Sequence, residues 1–277
     1  MGGVEQTGLI WIDGDVVAAE AASVSVFDHG LVVGDGAFET LVVIDGTPFA
    51  ATRHIHRLHT TLAALAVDPP SEQVLRQAMS QVISANGVDR GRLRLTVTAG
   101  LGPMGSGAPS GPTSIFAATG PLADTPVPAV VTAPWTRNEG GALAGLKTTS
   151  YAENVRALRW AKERGAGEAI FANTKGELCE GTGTNVFVVV DGQVMTPALR
   201  SGCLAGITRE LVIEVADVQE VDLPVDVLRT ADEVFLTSTT RDVQGVTSVD
   251  DRTLAVGPVT ERVADAFARR VAQSLDP

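Results

Sequence analysis

Cysteine is scarce. Cys179 and Cys203 are the only two in 277 residues, and their spacing fits no metal-ligand pattern, so neither a disulfide framework nor a zinc site is expected. Cys179 reads as a small packed residue. Positive charge is also short: 21 Lys and Arg stand against 33 Asp and Glu, a net −12. Phosphate repels so acidic a surface, which argues against nucleic acid or an anionic membrane as the main partner. No apolar run approaches the roughly 20 residues a membrane helix needs. Met1 to Gly8 lacks a hydrophobic segment, so no signal peptide is expected and the reading is cytoplasmic. There is no internal repeat and no low-complexity tail. What remains, 44% apolar and 19% charged, describes an ordinary soluble globular protein with enough chain for a substantial core.

Turn signals divide the chain. Leu9–Ile12, Asp13-Gly14 and Val16-Val17 predict a hairpin. Glycines punctuate Phe27 to Gly36 ahead of a strand from Phe38 to Ile44, suggesting either a close backbone approach or an irregular turn. The period then becomes helical over Thr52 to Ala66, with Ile55, Leu58, Leu62 and Leu65 on one face. A second helix is expected from Ser71, its N-cap, to Asn86, stopped by Gly87. Arg92 to Ala99 alternates as a half-buried strand. Gly100 to Pro112 lacks the G-K-[ST] ending of a nucleotide loop and reads as a mobile lid. Pro121 to Pro128 holds three prolines and no periodicity, the best linker candidate. After it come strands at Ala129–Ala133, Glu168–Ala172, Asn185–Val190 and Glu233–Thr237. Helices are predicted from Tyr151 to Arg164, from Gly206, and from Val259 to Leu275. The prediction is an α+β, two-lobed fold: residues 1–120, a linker 121–128, and a β-rich lobe 129–277.

Two residues look chemical. Lys147 follows the apolar run Ala142-Leu143-Ala144-Gly145-Leu146, which could bury its stem and desolvate its amine; a neutral amine is a nucleophile towards aldehydes. Thirty-three residues later, Glu180 opens Glu180-Gly181-Thr182-Gly183-Thr184-Asn185, where a carboxylate on a tight glycine turn could approach a flat ligand. Gly206-Ile207-Thr208-Arg209 starts a helix whose amides, with the Thr208 hydroxyl, suit an anion. Thr237-Ser238-Thr239-Thr240 clusters hydroxyls behind a strand, and Arg57 sits on a helix otherwise given to packing.

A lysine that forms a Schiff base and an acid for a pyridinium nitrogen are the minimum equipment of a pyridoxal 5'-phosphate (PLP) enzyme. With this spacing and order of elements, the chain resembles the class IV (fold type IV) PLP enzymes: branched-chain and D-amino-acid aminotransferases, R-selective amine transaminases and aminodeoxychorismate lyases. The resemblance implies that Lys147 holds the cofactor as an aldimine and shuttles the proton of a 1,3-shift. It implies that Glu180 pairs with the pyridine nitrogen, and that Arg57, Ile207, Thr208 and Thr239 hold the phosphate. Tyr151 then meets the ring hydroxyl and Leu204 packs on the ring. It also implies a homodimer acting on small molecules, an amino donor and a 2-oxo acid acceptor. The D-amino-acid branch carries R-x-H in the strand and loop after the second helix, where this chain has Thr96-Val97-Thr98-Ala99-Gly100-Leu101, and the aromatic and arginine of the branched-chain type are not read there either. Arg137, Arg241 and His29 are therefore the candidates for the substrate. Thr136-Arg137-Asn138, together with Gly34 to Thr40, looks closer to the lyases. Aminotransferase leads; aminodeoxychorismate lyase, giving 4-aminobenzoate and pyruvate, is the alternative.

Overall fold

The computed structural model describes residues 8–122 and 129–277; residues 123–128 of the expected linker lie outside the described residues. Two compact units divide the chain. The first takes in residues up to 122 together with Lys147–Ser150 and Asp276, and the second takes in the rest. Residues 147–150 thus cluster with the first unit, although the stretches before and after them belong to the second.

The first unit begins with β1 (Leu9–Ile12) and β2 (Asp15–Ala18), joined as expected through Asp13-Gly14. Both turn residues have positive φ, +48° and +111°, the hand that matches strand twist. A one-turn helix α1 (His29–Val32) follows, then β3 (Gly36–Ile44), β4 (Thr47–Pro48), α2 (Ala51–Ala64), α3 (Glu72–Asn86), β5 (Gly91–Thr98) and β6 (Ser114–Gly120). The strands form one six-stranded sheet in the order β2-β1-β6-β5-β3-β4, antiparallel at every pairing. α3 runs as its caps predict. Ser71 Oγ accepts from the Val74 amide and Gly87 closes the helix at φ +60°. Ile55, Leu58 and Leu62 of α2 and Leu75, Met79 and Val82 of α3 bury against Leu41, Leu93, Leu95 and Val97 of the sheet. Each such side chain is worth roughly 1.5–3 kcal/mol of burial.

The second unit contains β7 (Ala129–Arg137), α4 (Ala152–Lys162), β8 (Glu168–Asn173), β9 (Leu178–Gly181), β10 (Asn185–Val190), β11 (Gln193–Pro197), α5 (Ile207–Val215), β12 (Val218–Val221), β13 (Glu233–Ser238), β14 (Asp242–Gly245), β15 (Ser248–Val249), β16 (Arg252–Thr253) and α6 (Pro258–Gln273). They form two mixed sheets, ordered β12-β11-β10-β13-β14 and β16-β15-β7-β8-β9. Their shared core gathers Ile170, Leu178, Val186, Val188, Val234 and Leu236. β7 runs four residues beyond its expected end because an irregularity between Thr132 and Thr136 breaks the alternation that marks a strand. Glu180 lies on β9, not on a turn; the turn begins after it. The glycines near residue 34 do make a close approach, and its target is the protein itself. A Cβ on Gly36 would fall 2.6 Å from the Val97 carbonyl oxygen of β5, and one on Gly34 2.5 Å from Ser150 Oγ.

Candidate active site

The first unit fixes Lys147 by its main chain. Lys147 N donates to Thr61 Oγ1 on α2 at 3.3 Å, and its carbonyl accepts from Phe38 N at 3.1 Å. Thr148 then bridges Ala37 and Thr149 N donates to Gly36 O at 2.8 Å, so residues 147–149 line up along the start of β3. The ammonium rests 4.3 Å from the centroid of the Phe38 ring. In the run Ala142–Leu146, Leu143 is 44% exposed; Lys147 itself is half-buried and touches β3 and α2. Arg94, on β5, stacks its guanidinium 3.8 Å over the same Phe38 ring. Two cations therefore share one aromatic side chain.

Arg57 is half-buried on α2 and grips a carboxylate that sequence reasoning passed over. Its Nε donates to Glu39 Oε1 at 2.8 Å and its Nη2 to Glu39 Oε2 at 2.6 Å. His54 Nδ1 lies 2.6 Å from the same Oε2. Burial alone would raise the Glu39 pKa, but the Arg57 charge beside it prevails and holds it at about 2. Burial pushes the His54 pKa below its usual range, so the ring is neutral at physiological pH. A carboxylate only accepts, and Nδ1 therefore carries the proton. The signal available in the sequence was a charged residue inside an apolar strand, Phe38-Glu39-Thr40-Leu41-Val42, where a partner is obligatory.

In the second unit Glu180 accepts from Leu204 N at 2.9 Å through Oε2, while Oε1 stands 3.4 Å from Arg137 Nη2. Arg137 is otherwise committed to Glu153 and Asn154 through Nη1 and stacks 4.3 Å from the centre of the Phe171 ring. Tyr151 OH donates to the Thr182 carbonyl at 3.1 Å. Burial first, then the negative charge of Glu180, pushes its pKa up to about 12, so the phenol stays a donor. A second overlooked acid, Glu168, is 3% exposed. It receives Thr182 N at 2.9 Å, the Thr182 hydroxyl, and Thr184 Oγ1 at 3.2 Å, which shapes the turn after Glu180. Nothing in its sequence context separates it from a surface glutamate at a strand start.

Both the helix start and the hydroxyl cluster expected to suit an anion lie in this unit. Gly206 caps α5 with no side-chain cap bond, leaving the first-turn amides to an outside acceptor. A Cβ on Gly206 would meet Asn185 Oδ1 at 2.0 Å, and Asn185 Nδ2 in turn holds Leu204 O at 2.8 Å. Asn185 pairs with Thr237 across β10 and β13. The Thr237 hydroxyl is buried with no partner in the structure, and Thr239 lies on the turn just beyond, closed by Arg241 N donating to Ser238 O. An unsatisfied buried hydroxyl beside an uncapped helix start is donor chemistry suited to a phosphate. Arg241 bonds Gln244 Oε1 at 2.6 Å.

His29 is buried in α1 and faces Pro103 O at 3.0 Å and Asp35 Oδ2 at 3.4 Å. It packs so tightly on Gly102 that a Cβ there would strike the ring at 2.4 Å. With His29 N donating to Gly100 O and Gly102 N to Phe27 O, α1 pins the base of the segment expected to be a lid. Burial raises the thiol pKa of both Cys179 and Cys203, which marks them as packed and unreactive. Among the described residues no group of His, Cys, Asp and Glu is arranged to hold a metal ion.

Comparison with known proteins gives one answer. Residues 36–249 match the family described as Amino-transferase class IV. The branched-chain-amino-acid aminotransferase of Escherichia coli K12 is 30% identical over 283 residues, covering 93% of this chain and 91% of that one. The D-alanine aminotransferase of Listeria monocytogenes is 28% identical over 293 residues, with 96% of both chains covered. Among solved structures, the branched-chain aminotransferase of the thermophilic archaeon Thermoproteus uzoniensis with norvaline superimposes with a TM-score of 0.91 at 28% identity. That match covers 96% of this chain and 95% of that one. The α+β architecture is thus the fold type IV architecture, and the chain belongs to the class IV aminotransferase family of enzymes.

Proposed function

We propose that the protein is a PLP-dependent aminotransferase that moves an amino group between an amino acid or amine and a 2-oxo acid. The observation that carries this reading is the fixing of Lys147 by two main-chain hydrogen bonds, in a chain that matches the class IV family over both units. Lys147 Nζ would hold the cofactor and move the proton at the substrate Cα. When bound, PLP supplies an electron sink conjugated to that carbon. Glu180, held by Arg137 and Leu204 N, would keep a proton on the ring nitrogen. Tyr151, turning its hydroxyl from the Thr182 carbonyl, would donate to the ring oxygen, and Leu204 would cover the ring. Arg57, Ile207, Thr208 and Thr239 would hold the phosphate, for which the uncapped start of α5 and the orphaned Thr237 hydroxyl are fitting donors.

For the substrate carboxylate, Arg94 joins Arg137, Arg241 and His29 as a candidate, on one observation. Arg94 shares the Phe38 ring with the reactive lysine. Arg94→Ala is expected to raise KM for a 2-oxo acid by about 10- to 100-fold, the worth of one charge-assisted hydrogen bond. KM for an amine lacking a carboxylate should stay unchanged; an equal rise for both would remove Arg94 from the carboxylate site.

The assignment is tested by a panel of amino donors and 2-oxo acceptors run beside an aminodeoxychorismate assay. Acceptor-dependent turnover is the expected result. Pyruvate and 4-aminobenzoate released with no acceptor would give the lyase alternative instead. We take the protein to be a homodimer in the cytoplasm; among the described residues no helix is long and apolar enough to cross a membrane.

A further inference from the structure

We propose that Glu39, backed by His54, is a positioning residue that aims Arg57, so that the site prefers a phosphorylated pyridoxal over the unphosphorylated one. The inference rests on the reading of the site as a PLP site. A carboxylate with no exposed surface is expensive to bury, and a buried ion pair replaced as a whole by apolar residues is often no less stable. Stability therefore does not explain its presence on β3, whereas the geometry around it supplies a reason.

His54, Arg57 and Thr61 occupy successive positions along one stripe of α2, spaced three and four residues apart. From that stripe Arg57 meets both oxygens of Glu39 through two different nitrogens. A two-point fork fixes the plane of a guanidinium, which a single contact leaves free to rotate. His54 Nδ1 takes a second lone pair of Oε2, so the carboxylate itself cannot turn. Thr61, on the same stripe, holds the Lys147 amide. One helix face thus orients both the guanidinium expected at the phosphate and the amine expected at the aldehyde. The charges balance locally: Glu39 offsets Arg57, and neutral His54 adds none. What Arg57 can offer an incoming dianion is then directed N–H donors, and directed donors lose value quickly when misaimed.

The test uses the full-length protein, stripped of cofactor and titrated separately with PLP and with pyridoxal, following the absorbance of the lysine-bound form. Wild-type protein is expected to bind PLP far more tightly. In Glu39→Gln the ratio of the two affinities should fall by about 10- to 100-fold, with pyridoxal binding nearly unchanged. Because the effect runs through Arg57, the double variant with Arg57→Ala should discriminate no worse than Arg57→Ala alone. Arg57→Lys, which keeps the ion pair but cannot fork, should lose the preference too; it serves as the readout if Glu39→Gln does not fold. A purely structural Glu39 would lower both affinities together, or neither, and either result overturns the proposal. So would wild-type discrimination in Arg57→Lys. Wild-type protein that binds no PLP sinks the cofactor reading, and this inference with it. Wild-type protein that binds PLP while Glu39→Gln keeps its full preference sinks this inference alone.

Discussion

Lys147→Ala is expected to reduce amino transfer by at least about 1,000-fold while leaving the fold in place. A positioned proton-transfer group contributes roughly 100- to 10,000-fold, and here the same nitrogen is also the proposed covalent anchor. The fold should survive because what orients residue 147 is its backbone: N to Thr61 Oγ1 and O from Phe38 N. Alanine keeps both bonds. Alanine loses the cation–π contact with Phe38, worth about 0.5–1 kcal/mol at a partly exposed site, and thermal unfolding is expected to shift by only a few degrees. Small primary amines added to the variant should restore part of the rate by replacing the missing base. A variant that keeps more than a tenth of wild-type turnover would falsify the role of Lys147.

Glu180→Gln is the second large effect. The substitution keeps the size of the side chain and an acceptor for Leu204 N but removes the charge. Turnover should fall by about 100- to 1,000-fold, the loss seen when one preorganised electrostatic partner is taken from a reacting centre. PLP should still bind, because the phosphate donors and Lys147 are untouched. The same variant has a second, independent readout. Tyr151 is the only tyrosine in the chain, so alkaline difference absorbance reports it alone. Its pKa, raised to about 12 by burial and then by the charge of Glu180, should move down once that charge is gone. An unchanged tyrosine titration would mean that Glu180 does not act on this site as an anion.

Much of this was legible in the residues, for physical reasons that can be named. Asp-Gly pairs at 13–14, 45–46 and 191–192 each close a two-residue hairpin with both φ values positive, because few other residues tolerate that turn. Helices such as α3 announce themselves through a cap and a stripe. β9 was missed because a four-residue strand ending in glycine looks like the turn it leads into, and this also misplaced Glu180. Arg94 was not weighed because a carboxylate clamp was sought from Thr96 onward, and Arg94 lies one alternation earlier along β5. The partners of Glu39 and Glu168 were invisible for a deeper reason. Both are acids whose partners come from far along the chain, at residues 54–57 and 182–184, and local pattern carries no record of that.

The membership of Lys147–Ser150 and Asp276 in the first unit bears on how the protein is made. Translation delivers β1 to β6 long before residue 147 emerges, so the strand start at Gly36 must wait for a stretch that the ribosome has not yet released. Asp276 emerges later still, and its carboxylate then receives the amide and hydroxyl of Thr52 at 2.9 and 2.6 Å. The N-terminal half cannot reach its finished state as a nascent chain, and no single cut of the gene yields two pieces that each contain a complete unit.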